Sequence, residues 1–534
     1  MQLAALIVIL PLMLISYSAN AIVNNCQPVS ENSNDLIIGE IKLLNSNIFD
    51  PNNPDENSTI HKIANTLHIQ TRQATIRQQL LFQVGDVYNQ QKIDETERIL
   101  RSKSYLHTAS IYPSDICNGQ LVVIVKTSDN WTLTPSISVG RSGGITRTSV
   151  EIAESNLFGL GKDIKYQSES NEDRDSRFLE YRDDNLFGSH YKLFVKTAEN
   201  SDGYFDAISI AKPFYHLDAR QALSLNTSRE KKQIAIYENG LIVDTAGQLT
   251  ESLNAEFGWS DGLHDEQVFR YKLGWQATDN QFFNVEDYPD SILPVDSQKH
   301  FPYIGVEYLQ DLYIQRENFN IMGVIEDIPI GKNFSARLGL LDKSWGSSDD
   351  GYIISANYSA AIDISQKSLA FIEIGLSSEV YRSAADYNAL SFNARWFHYS
   401  DFNNSYFLDA ELQTADNLLS TNLYVIGGDT GLRGYPIRFQ TGHNRALFSA
   451  EKRSYFNWYP YKLVKMGVAI FADVGSAWKN DEQADFISDI GFGIRLVSTR
   501  QSDSKVLHID FAYPLDKQKE VDGFQLVLKA KSRF

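Results

Sequence analysis

Ser142 lies within Gly140-Arg141-Ser142-Gly143-Gly144, which matches the G-x-S-x-G pattern of serine hydrolases. That chemistry needs a strand running into a helix, so that the turn exposes the hydroxyl. An alternating segment, 146–154, follows instead, and a hairpin turn is the better reading. No H-E-x-x-H zinc pattern occurs. Cys26 and Cys117 are too few for a disulfide scaffold and are not clustered as metal ligands are; one disulfide between them is the most they offer. The remaining candidate is Arg433, in Gly427-Gly428-Asp429-Thr430-Gly431-Leu432-Arg433-Gly434-Tyr435-Pro436, a stretch too glycine-rich for a strand. Taken alone, Arg433 is equally a solvated charge on an external loop. These residues point to no catalytic centre, cofactor or metal ion.

The elements that must position them follow from composition and pattern. The chain has 534 residues and a net charge of -18, with no basic run, which disfavours nucleic acid as a partner. A mean hydropathy of -0.30 leaves no room for many apolar helical spans. One apolar segment, 3–15, precedes Ala19-Asn20-Ala21, an A-x-A cleavage pattern, so 1–21 reads as an export signal. An N-terminal segment, 22–34, a small α/β domain, 35–130, and a β domain, 131–534, are expected to follow. Export places Cys26 and Cys117 in an oxidising compartment, where a bridge between them is plausible.

In the α/β domain, 35–44 reads as a strand, 71–82 and 90–101 as amphipathic helices, and 105–113 and 121–126 as strands, an order of β-α-α-β-β. Beyond Trp131 only short alternating segments recur. In the last of them Phe524, Leu526, Leu528, Ala530, Ser532 and Phe534 share one face, while Gln525, Val527, Lys529, Lys531 and Arg533 share the other. Such alternation suits a sandwich as well as a barrel. Asn156-Leu157-Phe158-Gly159 recurs as Asn185-Leu186-Phe187-Gly188, a 29-residue step that fits two membrane strands with their connections. The roughly 403 residues after Trp131, at about 25 per strand and connection, predict a transmembrane β-barrel of 16 antiparallel strands. The acidic stretches 171–175 and 260–266 are expected in its external loops.

Leu432-Arg433-Gly434-Tyr435 resembles the [VL]-R-G-[FY] loop of the outer-membrane superfamily that includes BamA, TamA and the two-partner secretion transporters. Phe471-Ala472-Asp473-Val474-Gly475 is similar to its F-x-D-x-G strand, Ser449-Ala450-Glu451-Lys452-Arg453 to its S-x-E-x-R strand, and 35–130 to its periplasmic POTRA module. Leu526, Leu528 and the terminal Phe534 resemble its C-terminal barrel signal. The resemblance implies that the Arg433 loop folds back into the lumen. A guanidinium removed from bulk water then requires a carboxylate fork, with Asp473 the first choice and Glu451 the second. Phe471 would point inward, with Val468, Ile470, Ala472 and Val474 towards lipid. Gly434 would let the loop backbone approach the wall.

The same resemblance implies a non-catalytic protein of a Gram-negative outer membrane, its N-terminal domain in the periplasm. It would assist insertion or translocation of client polypeptides through a seam between first and last strands. The partners implied are outer-membrane lipids and lipopolysaccharide, unfolded or secreted clients, and periplasmic chaperones. The chain departs in having room for a single POTRA-like module, which favours a dedicated role over that of the general assembly machine. A passive or lipid-related channel is the competing reading.

Overall fold

The computed structural model describes residues 26–29, 36–238, 241–401, 403–501, 505–516, 521 and 523–531. The expected export signal and Phe534 lie outside these residues. Among the described residues no helix is long and apolar enough to cross a membrane.

The N-terminal domain is a four-stranded sheet in the order Cys26–Pro28, Leu106–Cys117, Gln120–Asp129, Ile38–Ser46, the last pair parallel. It carries one helix more than β-α-α-β-β: Thr59–Leu67, Gln73–Arg77 and Gln90–Arg101. The last begins where Asn89 Oδ1 accepts the Lys92 amide, a side-chain cap that satisfies one orphan donor. Its Ile93 and Leu100, two turns apart on one helical face, join Ile38, Ile76, Leu121 and Val123 in the core. Residues 114–117, expected in a loop, continue the strand and pair with 26–28, where Cys26 and Cys117 are joined by a disulfide.

The rest of the chain closes into an antiparallel barrel of twenty strands, from Leu133–Ser142 to Gln525–Lys531. This overturns the expected sixteen. The count assumed long connections, but many turns are tight: Gly143-Gly144 and Asp265-Glu266 each join their strands in two residues. The chain therefore spends about 20 residues per strand, still an even number as such barrels require. Gln221–Glu238, Leu241–His264 and Gln267–Asn284 are longer than the roughly 9–11 residues a span needs.

The small domain sits on one rim of the barrel. Both Asn-Leu-Phe-Gly turns meet it there: Gly159 O accepts from the Arg72 amide (3.0 Å) and Thr75 Oγ1 (2.9 Å), and Asn185 Nδ2 donates to Gln78 Oε1 (3.3 Å). The acidic stretch 260–266 lies on this same rim, where Glu266 O accepts the Asp311 amide, and not among the far loops as expected. Strand direction alternates at every turn, so one strand more or fewer before a turn moves it to the opposite rim.

Candidate functional site

Residues 427–439 leave the far rim, between strands Asn404–Asp416 and Asn444–Tyr455, and fold back against the inner wall. Leu432 and Tyr435 anchor the loop in an apolar cluster with Ile426, Phe439, Leu447, Ala477 and Ile487. Tyr435 Oη donates to Ser488 O (3.1 Å) and Asp516 Oδ2 (3.2 Å). Between those anchors Arg433 reaches the wall. Its Nε and Nη2 donate to Asp473 Oδ2 (2.7 Å) and Oδ1 (3.0 Å), a bidentate fork. Its Nη1 donates to Glu451 Oε1 (2.9 Å) and lies 3.4 Å from Asp510 Oδ2. The guanidinium stands 3.4 Å from the centre of the Phe471 ring, a cation–π contact that gains strength away from water.

The backbone makes the same approach. The Gly434 amide donates to Asp489 Oδ2 (2.9 Å), and a Cβ at Gly434 would lie 2.8 Å from Asp489 Cβ. Only glycine admits the loop so close. Gly475 has a comparable role on the strand, because a Cβ there would meet Ile426 Cδ1 and Ala446 O at 2.6 Å.

The structure thus brings Leu432, Arg433, Gly434 and Tyr435 together with Phe471, Asp473, Gly475 and Glu451. Ile470 and Val474 face outward on the same strand. Leu526 and Leu528 stand apart from the cluster, on the last strand opposite Phe511 and Ile509. Three members were not singled out in the sequence, Asp489, Asp510 and Arg495, and Arg453 entered there only as the last residue of the S-x-E-x-R strand. Arg453 Nε donates to Glu451 Oε2 (2.9 Å), and Arg495 pairs with Asp510. Each lies on the inward parity of its strand, as Asp510 does opposite Leu507, Ile509 and Phe511; that parity was the available signal. Three arginines and four carboxylates in one enclosed network form a positioning device. A buried guanidinium holds its place only where acceptors occupy its donors.

The loop also spans the junction of first and last strands. Arg147 Nη1 donates to Asp429 Oδ2 (2.6 Å), Lys529 Nζ donates to Asp429 O (3.1 Å), and a Cβ at Gly143 would lie 2.1 Å from the Ile437 amide nitrogen. The described residues pair these strands at a single position, Leu528 opposite Arg141. Ser142 ends the first strand of a tight hairpin there, with no helix following.

A second insertion enters from the domain's rim. Between strands Ser297–Gln310 and Asn333–Leu341 the chain forms a hairpin, Tyr313–Glu317 with Ile325–Pro329. Its Phe319 and Ile328 pack on the inward-facing Leu369, Phe397 and Phe407, while Met322 at the tip packs on Tyr455, Ala469, Val497 and Val506. The hairpin therefore crosses the mouth from one wall to another. Helix Gln90–Arg101 holds it: Arg101 donates to Asp327 from Nε (2.6 Å) and Nη2 (2.8 Å), and Arg98 Nη2 donates to Asp311 Oδ1 (2.9 Å) while its guanidinium lies 4.5 Å from the Tyr313 ring centre. Charge-assisted bonds of this kind contribute roughly 1.5–3 kcal/mol each. In Arg98→Ala/Arg101→Ala the hairpin is expected to loosen, raising the mean ionic current through reconstituted barrels several-fold. Currents equal to those of the parent protein would show that the hairpin needs no latch.

The domain's seat carries a titratable group. Arg500, in the turn after strand Ile487–Ser498, donates to Glu56 Oε1 (2.8 Å) and Ile48 O (3.1 Å). His107 lies beside it, its pKa pushed down to about 4 by burial first and by the Arg500 charge second. An unfolded histidine titrates near 6.5. Below that pH the unfolded chain takes up a proton that the folded domain refuses, so stability is complete above about 6.5 and is lost as pH falls towards 4. Protection factors across 106–129, with the intrinsic pH dependence of amide exchange divided out, are expected to fall over this window, and less so in His107→Gln; protection independent of pH would count against it.

Residues 340–530, which hold the loop and the wall partners of Arg433, match the Omp85 superfamily domain. The superfamily read from the loop and strand motifs is the one found. No curated protein matches the chain. Among solved structures, BamA from Haemophilus ducreyi lacking POTRA domains 1–3 is 13% identical, over 92% of this chain and 83% of that one, with a TM-score of 0.40. CdiB from Acinetobacter baumannii is 12% identical, over 92% and 73%, with a TM-score of 0.45. CdiB from Escherichia coli is 10% identical, over 92% and 76%, with a TM-score of 0.48.

Proposed function

We propose that this Omp85-type chain is a bacterial outer-membrane β-barrel that assists assembly, insertion or translocation of client polypeptides. The observation that carries this reading is the junction of first and last strands, which pairs at one described position and is bridged by the Arg433 loop. Strand edges with unmade ladder bonds accept another strand, and a client segment can add to the edge of Gln525–Lys531 if the junction parts. The Arg433 network fixes the loop that straddles the junction, so it sets how readily the edges separate. In this reading 35–130 acts as a POTRA-like receiving domain in the periplasm. Clients reach it unfolded or with chaperones, and lipid and lipopolysaccharide surround the barrel. A hairpin drawn across the mouth argues against a permanently open pore.

The test is a quantitative outer-membrane proteome of a strain lacking the gene against one with the gene restored. Selective loss of one or a few proteins is the expected result and identifies the clients. An unchanged proteome would replace this reading with a channel or lipid-related role.

A further inference from the structure

Helix Thr59–Leu67 faces the wrong way for a domain of this size. Its inward side carries His61 and Asn65, whereas Ile60, Ile63 and Leu67, spaced to form one stripe, are 47%, 52% and 66% exposed. A helix with its apolar face outward has a partner beyond its own domain.

The neighbouring rim shows what that partner is. Three turns of this rim each place an exposed aromatic residue in the left-handed region: Phe158 (φ 56°), Phe187 (φ 53°) and Tyr461 (φ 52°). Bulky residues rarely adopt that conformation, and here it recurs with the ring displayed outward. Two of these turns are the Asn-Leu-Phe-Gly repeats; the third belongs to Phe456-Asn457-Trp458-Tyr459-Pro460-Tyr461, where Phe456 and Trp458 are exposed as well. Aromatic rings at the rim of a transmembrane barrel occupy the boundary between headgroups and acyl chains. The small domain grips the carbonyls of two of these residues. His61 Nε2 bonds Tyr461 O (2.7 Å), and Arg72 Nε donates to Phe158 O (2.9 Å). With Asn156 Nδ2 also donating to Ile69 O (3.2 Å), the helix is held along the rim between two of these aromatic turns, its apolar stripe turned away from the domain core.

We propose that helix Thr59–Leu67 is an interfacial membrane foot. Ile60, Ile63 and Leu67 enter the phospholipid headgroup–acyl boundary of the leaflet on the domain's side, together with Phe158, Phe187 and Tyr461. Lys62, exposed beside the stripe, stays with the headgroups. The foot fixes the tilt of the domain over the mouth, and with it the place where helix Gln90–Arg101 meets the hairpin. The assignment goes beyond the client-handling role and does not depend on it; it needs only the barrel in a bilayer.

The test uses the full chain with Leu67→Cys, or Ile63→Cys as an independent second position, carrying an environment-sensitive fluorophore. Cys26 and Cys117 are bonded to each other and do not compete for the label. The protein is reconstituted into vesicles of phosphatidylethanolamine and phosphatidylglycerol, with brominated acyl chains or with iodide on both sides as quencher. The expected result is quenching by brominated lipid at least threefold stronger than by iodide, with a return to iodide-dominated quenching when Ile60 and the unlabelled one of Ile63 and Leu67 are replaced by serine. Dominant iodide quenching at both positions would leave the stripe in water and overturn the assignment. Shielding from both quenchers would mean that protein, a second copy or a retained client, covers it, and would overturn it equally.

Discussion

Replacing Arg433 with alanine is expected to cost about 3–5 kcal/mol of barrel stability, because it strands Asp473 without its bidentate cation and leaves Glu451 to Arg453 alone. The folded protein should lose its resistance to heating in detergent, read as a shift in gel migration at lower temperature, and client levels in the outer membrane should fall at least tenfold. Arg433→Lys keeps the charge but not the planar fork to Asp473, so it should fall between the two. The combined Arg433→Ala/Asp473→Asn should be less harmful than the sum of its parts, since the second change removes the charge that the first exposes. Full heat resistance together with full client levels in Arg433→Ala would remove the network from the mechanism.

The second large effect concerns the strand junction. Arg141 and Leu528 face each other at its one described pair, so Arg141→Cys/Leu528→Cys places two thiols where a disulfide can form across it. Once oxidised, the barrel is expected to stay folded while client delivery drops to the level of the deletion strain, with recovery on reduction. Each single-cysteine parent, treated with the same reductant, reports the effect of opening Cys26–Cys117 alone. Undiminished delivery through a locked junction would mean that clients do not part these strands, and would move the route to the lumen.

The two effects are coupled through residues 427–439. Arg433 ties that loop to strands Asn444–Tyr455, Val464–Trp478 and Val506–Pro514, while Asp429 meets Arg147 near one end of the barrel sheet and Lys529 at the other. Loosening the first contact frees the second. A weakened Arg433 anchor and a locked junction should therefore oppose each other in one molecule, the lock restoring heat resistance without restoring delivery.

Much of this was legible in the chain. Alternation fixes which side of a strand each residue takes, because successive side chains must point to opposite faces. It therefore identified the inward position of Asp473 and the outward positions of Ile470 and Val474 without any knowledge of neighbours. Once the resemblance implied a loop folded into the lumen, a buried guanidinium required carboxylates for Arg433, and Asp473 and Glu451 are the ones that meet it on the wall. Tertiary structure decided everything that depends on which strand lies beside which. The count of twenty strands follows from the lengths of the connections and from closure of the ring, neither of which is a local pattern. Asp489 reaches the loop because the strand register places it directly opposite Asp473, and Asp510 because it stands opposite Gly493, four positions along the same wall; register is set by pairing between segments far apart in sequence. Helix Thr59–Leu67 was missed because its periodicity is short and its apolar face does not serve the domain core. The hairpin 313–329 has ordinary strand composition, and only its seat among Phe397, Tyr455 and Val497 distinguishes it from a wall strand. The sequence by itself determined the faces, the barrel class and the chemistry that Arg433 requires; the closed ring alone decided the neighbours, because side-chain direction is a property of two adjacent residues and adjacency of strands is a property of the whole chain.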